Sequence, residues 1–262
     1  MSYLLGLKWH WREMAVTQLS LGRNAIVTLK GEKTILYLKK DSPSFLLANI
    51  PTGLYMWLEM KVTASKNGEK TRRKILEAAF EEFYKNGFQG GSLNRIVDGA
   101  GTTKGALFHH FRGKNDLGYA VVSEVIQPHL KEQWADPLAL SSDPISDLKR
   151  LFRQFVKEEI ANDRLVQGCP LNNLAQEMSP LDERFRKSLE KVYAAWRESL
   201  AAAFARGIKA GTVRKNVSPG KVAAFVVAAQ AGIVGTGKSA QSEDLLRETT
   251  QVLFDYLDSL KP

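Results

Sequence analysis

The sequence has a single cysteine, Cys169, so it can close no disulfide within the chain. A cysteine-rich zinc cluster is excluded for the same reason, since structural zinc sites need several such ligands. No run of about 18 consecutive apolar residues is present, so no membrane-spanning helix and no membrane partner are expected. The opening residues, Met1 to Glu13, break their apolar run early at Lys8, His10 and Arg12, which is unlike a secretory signal and points to a cytoplasmic location. No Ser/His/Asp set and no paired carboxylates stand out, and no cofactor is implied. Apolar residues make up 44% and charged residues 25%, enough for an ordinary buried core.

What is present is positive charge, and it is unevenly placed. The net charge is +9. Residues 61–115 hold eleven Lys/Arg against five Asp/Glu, whereas residues 116–262 hold nineteen of each. Two thirds of the excess therefore falls on about a fifth of the chain, which suits a polyanion partner or, equally, a solvated charged face.

Residues 1–60 read differently from the rest. Two runs rich in β-formers, Ala25–Leu29 and Thr34–Leu38, flank Lys30-Gly31-Glu32-Lys33, which suits a hairpin turn. A lone hairpin is marginal in water, so this extension stays open between β-like and disordered, and no functional motif lies in it. Met56 and Met60 stand just before the stronger pattern, and one expectation is a natural start at Met60. The mass of the natively expressed protein tests it.

From Ser65 the pattern is helical. A helix capped by Ser65 or Asn67 is expected from Glu69 to Asn86, with Ile75, Ala78, Ala79 and Phe83 on one face and Gly87 as its stop. Ser92 caps a short helix to Gly99, Ala100-Gly101-Thr102 makes a tight turn, and Thr103 opens a third helix to Phe111. A long fourth helix starts at Lys114. Further helices are expected over 144–162, 168–178, 180–207, 218–235 and 243–260.

Residues 92–117, SLNRIVDGAGTTKGALFHHFRGKNDL, have the physics of a helix-turn-helix. Gly101 permits the sharp crossing, Ala100 the close approach, and Ile96, Val97 and Leu107 a small core. Thr103, Lys104, Gly105, Phe108 and His109 are left to face a major groove. Around these, Ser92, Ile96, Ala100-Gly101, Gly105-Ala106-Leu107-Phe108-His109-His110-Phe111 and Lys114 with Asp116-Leu117 closely resemble the N-terminal module of the TetR (tetracycline-repressor) family. Arg72, Ile75, Leu76, Ala78, Ala79, Phe83, Gly87 and Phe88 resemble its first helix. About 50 residues carry the match. Phe108 departs from it, standing where the family mostly has Tyr, and Gly90-Gly91 is looser than usual.

The resemblance implies an all-α protein: an N-terminal three-helix DNA-binding domain at 65–115, a helical ligand-binding and dimerisation domain at 116–262, and an extension of unknown role at 1–64. It implies a repressor that binds double-stranded DNA at a palindromic operator as a homodimer and is released by a small apolar or aromatic ligand. The long helix from Lys114 would be the lever. Ser92 would cap and touch a phosphate, and Asn94 would reach a base. Lys104 would enter the groove, Gly105 would allow close approach, Phe108 would pack on sugar or a thymine methyl, and Thr103 and His109 would contact phosphate or base. Lys114 would bind phosphate. Phe108 is equally open to a core role. The resemblance also implies that the last two helices form a four-helix bundle with a second chain, and Gly232 and Gly235 would allow close helix approach there.

Phe152, Phe155, Leu174, Met178, Tyr193 and Trp196 are candidates to line a pocket, although an aromatic stripe at helical spacing also describes plain core. Cys169 joins them, either as a small buried residue or as a reactive thiol at a helix N-terminus. That leaves two alternatives: an electrophile or redox sensor of the same family, and a DNA-binding helical protein without a switch. His109-His110 is not expected to hold a metal, since neighbours on a helix diverge by about 100° and no third ligand is near. Gly232 to Ser239 spells a phosphate-binding P-loop, but the run before it is Ala-rich and helical rather than a strand, so an enzyme is not expected.

Overall fold

The computed structural model describes residues 16–21, 24–29, 38–39, 52–162 and 165–262, with side chains from Asn67 onward. It divides into two compact units, 1–65 and 66–262.

In the first unit β1 (Val16–Leu21), β2 (Asn24–Leu29) and β3 (Leu38–Lys39) form one antiparallel sheet in that order. Ala25 stands opposite Leu38, the pairing expected of a hairpin between the two β-like runs. Its turn and most of its second run, 30–37, lie outside the described residues. Strand β1 escaped the sequence reading, and the reason is local: the register shifts between Val16 and Gln18. A bulge adds one residue and breaks the period-2 alternation by which a strand is recognised.

From Thr52 onward every described element is helical. Helix α1 (Thr52–Gly90) is far longer than the expected 69–86. Neither Ser65 nor Asn67 starts it, and the Asn67 carbonyl is an acceptor within it, from Thr71 Oγ1 at 2.9 Å. The expected stop survives as a break. Gly87 has φ 73°, ψ 167°, outside the helical region. Helices α2 (Leu93–Gly99) and α3 (Lys104–His110) follow as expected.

The fourth helix is not uniform. α4 (Lys114–Val121) continues through a π-helical turn (Val122–Ile126), α5 (Gln127–Leu130), a second π-helical turn (Lys131–Ala135) and a 3-10 turn (Asp136–Leu138). Pro128, within α5, has no N–H to offer the preceding turn, so the regular ladder cannot run through.

The body is completed by α6 (Pro144–Ala161), α7 (Pro170–Met178), α8 (Glu183–Ala210), α9 (Pro219–Ala240) and α10 (Glu243–Asp258). α8, α9 and α10 pack side by side, and α6 lies on both α8 and α10. α9 is rich in Ala and Val. With a mean hydropathy of 1.3 over its most apolar stretch, it is long and apolar enough by composition to cross a membrane. Gln230, Gly232, Gly235, Thr236 and Lys238 break its apolar run into shorter pieces. It serves as a core helix here, burying Val222, Ala223, Val226, Val227, Gln230 and Val234 against its neighbours. The P-loop-like letters, 232–239, lie wholly inside it, so their amides are committed to a helix rather than to a phosphate cradle.

Candidate DNA-reading face and effector cavity

The reading head is built from capped turns around a small core. The Ser92 hydroxyl accepts from Arg95 N at 3.5 Å, and the Thr103 hydroxyl accepts from Ala106 N at 3.2 Å, so each short helix satisfies one of its orphan donors. Gly101 takes φ 59° at the turn, a conformation that favours glycine. Ile96, Val97, Ala100 and Leu107 are buried beneath. That leaves Asn94, Thr103, Lys104, Gly105, Phe108 and His109 exposed on α2 and α3. Phe108 is 53% exposed, so of its two readings the structure places it on the surface.

Two other basic groups are half-buried. Lys114 Nζ donates to the Gln89 carbonyl at 2.9 Å and lies 5.1 Å from the centre of the Phe88 ring. His110 is half-buried, and burial, then His109 and Arg72, hold its imidazole below the usual range. Among the described residues no group of three His, Cys, Asp or Glu is arranged to hold a metal. Glu82, 8% exposed, accepts from Arg95 at 2.5–3.1 Å and from Ser92 N at 2.8 Å, and the Arg95 bond is the main cause that holds its carboxyl below the ordinary carboxylate range.

The head is tied to the body at several points. Arg72 forms a two-pronged ion pair with Glu124 in the first π-helical turn, and its guanidinium lies 4.9 Å from the Phe111 ring centre. The Glu177 carboxylate, at the end of α7, accepts from Phe88 N at 2.8 Å and Gln89 N at 2.7 Å, capping the amides that the break at Gly87 leaves open. Tyr84 Oη donates to the Gly168 carbonyl at 2.5 Å. Phe88 meets Phe185 edge-on at 4.7 Å, with Gly118 packed against both.

Behind this seam lies a cavity of about 600 Å³. One wall is α1 itself: Phe80, Glu81, Tyr84 and Lys85. The others include Val125, Trp134, Phe155, Cys169 and Gln230. Of the seven residues proposed for a pocket, it brings together Phe155 and Cys169. Trp196 lines a separate groove of about 320 Å³ with Leu130 and Val192, and Leu174 a narrow cleft with Phe83 and Ile126. Phe152 is buried between Trp134, at 4.8 Å, and Phe254, at 6.5 Å. Met178 is core, and Tyr193, whose hydroxyl lies 3.4 Å from Asn172 Oδ1, has its phenol pushed up by burial. The sequence reading missed the α1 wall and Gln230. For Gln230 a signal existed, a lone amide in the apolar run Ala223–Val234.

Cys169 is the N-cap of α7, as a reactive thiol would require. It is nevertheless buried. Burial is the largest influence on the thiol and pushes it up, against the amides of Asn172 and Leu171, which pull it down.

Residues 75–121 match bacterial regulatory proteins of the tetR family, and residues 144–253 match the tetracyclin repressor-like C-terminal domain. An uncharacterized HTH-type transcriptional regulator from Lactococcus lactis subsp. lactis is 32% identical over 52% of this chain and 68% of its own. The HTH-type transcriptional repressor DhaR of Mycobacterium sp. (strain GP1) is 23% identical over 71% of this chain and 91% of its own. Among solved structures, the regulatory protein TetR from Rhodobacter sphaeroides matches with a TM-score of 0.62 at 24% identity, over 70% of this chain and 96% of that one. The protein therefore belongs to the TetR family and is a helix-turn-helix DNA-binding transcriptional regulator rather than an enzyme.

Proposed function

We propose that this regulator is a homodimeric cytoplasmic repressor that reads a palindromic operator with residues 65–115 and is released when a small molecule enters residues 116–262. The observation that carries the reading is the contrast on α3: Leu107 is 1% exposed while Thr103, Lys104, Gly105, Phe108 and His109 are all open to solvent. A helix so divided is fixed from behind and free to enter a major groove with its N-terminal end.

In this reading Lys104 supplies donors to guanine O6 or N7, and Asn94 a base-edge contact. Gly105 lets the helix approach, since its nearest outside neighbour is Thr103 Oγ1, 3.8 Å from where a Cβ would stand. Ser92, Thr103 and His109 supply phosphate contacts. Lys114 keeps one N–H on Gln89 and has others for a phosphate. Phe108 packs on sugar or a thymine methyl.

Dimerisation is supported by the outer face of α9, where Ala224, Phe225, Ala228, Gly232 and Thr236 are exposed, and by Val252 on α10. Small residues let a second copy approach closely, and palindromic half-sites one helical turn apart require two heads. Release is supported by the cavity, whose volume suits a small ligand.

The test is fluorescence anisotropy of the purified protein on DNA flanking its own gene, across a salt series. Tight, saturable binding to one fragment, weakening steeply with salt and weaker by about 1–3 kcal/mol in Lys104→Ala, is the expected result. Weak binding that is equal on every fragment would sink the operator reading.

A further inference from the structure

Two residues that line the cavity each carry a buried polar atom with no partner. Trp134 Nε1, a donor, and Gln230 Oε1, an acceptor, make no hydrogen bond, and the two residues are 1% and 2% exposed. A buried polar group left unpaired is costly. Both residues line the same cavity, and its wall carries the rings of Phe80, Tyr84, Trp134 and Phe155. Its charges are weighted towards the negative. Lys85 pairs with Glu81 at 3.6 Å, and the side chain of Glu158, which also lines the cavity, takes a hydrogen bond only from the neutral Gln154 amide among the described residues. Such a wall disfavours an anion.

We propose that the cavity seats an uncharged aromatic molecule bearing one hydrogen-bond acceptor, met by Trp134 Nε1, and one donor, met by Gln230 Oε1, and that α1 of the reading head senses it directly through Tyr84. The sensing half of this proposal rests on the repressor reading above; the seat does not. α1 is tied to α7 at both ends of that helix, by Tyr84 to the Gly168 carbonyl just before it and by Glu177 to the Phe88 and Gln89 amides at its close. Tyr84 and Gly168 both border the cavity. A ring inserted there separates the tyrosine from the carbonyl and moves α1 relative to α7. No transmission along the helix that begins at Lys114 is needed.

The probe is 7-hydroxycoumarin, which carries a lactone carbonyl and a hydroxyl on a planar bicycle. Its binding to the full chain is followed by fluorescence below the pH at which the hydroxyl ionises. Saturable binding is expected, weakened about tenfold by Gln230→Leu and by Trp134→Phe, each of which removes one hydrogen bond. Coumarin, without the hydroxyl, is expected to bind wild type and Gln230→Leu equally. The 3-carboxylate of the probe is expected to bind less well than the probe. Without ligand, Gln230→Leu is expected to melt at a higher temperature, because a buried carbonyl oxygen without a partner is gone; a purely structural glutamine would give the opposite shift. Probe affinity unchanged in both variants, or no saturable binding, overturns the seat. On operator DNA, the probe is expected to lower wild-type affinity, while Tyr84→Phe, which has no bond to the Gly168 carbonyl for the ligand to break, binds the probe more tightly and responds less. An undiminished response in Tyr84→Phe overturns sensing through Tyr84. Failure of wild type to bind any operator counts instead against the repressor reading and leaves the seat to the fluorescence result.

Discussion

In the reading head, Ile96, Val97, Ala100 and Leu107 hold two seven-residue helices, and most of the remaining side chains of α2 and α3 are in solvent. In the body, rings touch one another through the interior: Trp134 lies on Phe152, Phe155 and Trp196, and Phe152 reaches Phe254. Each head residue therefore has a job that depends on its chemistry, a cap, a turn or a surface contact. Body residues are held mainly by volume, which many apolar combinations can supply. The seam between the regions mixes both: Phe88 against Phe185 by packing, Arg72 with Glu124 by charge.

If the body is held by volume, emptying it at the seam should be the most damaging change. Phe185 is fully buried beneath Phe88, Tyr119 and Gly118. Phe185→Ala is expected to cost about 3–5 kcal/mol in chemical denaturation. A cost under about 1 kcal/mol would mean the seam carries little of the fold.

Adding volume at the same place is the next largest test. A Cβ on Gly118 would stand 2.5 Å from Phe185 Cζ and 2.6 Å from Phe88 Cε2, closer than carbon atoms approach. Gly118→Ala is expected to cost about 1–3 kcal/mol. Restoration of stability when Phe185→Leu is added would identify ring overlap as the cause.

The head should answer to chemistry instead. Lys104→Ala is expected to leave the melting temperature unchanged and to weaken operator binding by about 1–3 kcal/mol, with a shallower salt dependence if the contact is to phosphate and relaxed base preference if it is to guanine. A melting shift of several degrees would show that Lys104 supports the head rather than reading DNA.

Glu82 is the head's own structural ion. Its carboxyl is held below the ordinary value of 4.5, chiefly by Arg95. A depressed carboxyl adds stability above that ordinary value and loses it as pH falls through the lower folded value. Wild type should thus lose stability below about pH 4.5 in a way that Glu82→Gln does not. At neutral pH the variant is expected to be weaker by about 1 kcal/mol. Parallel acid curves for the two proteins would remove Glu82 from the account.

The same contrast explains what could be read from the sequence. The helix-turn-helix was legible because Ser92, Thr103 and Gly101 are local devices whose identity follows from backbone geometry. The body's helices were legible from period alone. The cavity was not, because its α1 wall and Gln230 are brought together across more than 140 residues by packing. α1 itself was drawn too short. Asn67 and Gly68 resemble a boundary locally, yet the chain continues through them without a proline. β1 was hidden by its bulge.

The smallest expected effect concerns Cys169, where a head-like argument meets a body-like environment. Its place as N-cap of α7 lowers a thiol, and its burial raises it, and burial is the larger influence. Reactivity needs access as well as a thiolate, and at 8% exposure the sulfur has little. An alkylating reagent should therefore modify native protein far more slowly than unfolded protein, with a rate that follows opening of the body. Cys169→Ser should keep operator affinity within about twofold, since the side chain is remote from α3 in function and similar in size; the cost falls on stability, by roughly 1 kcal/mol for burying a hydroxyl among apolar neighbours. Fast alkylation of folded protein accompanied by release from DNA would reverse this ranking. It would make the cysteine, rather than Tyr84 on the same cavity wall, the sensing group.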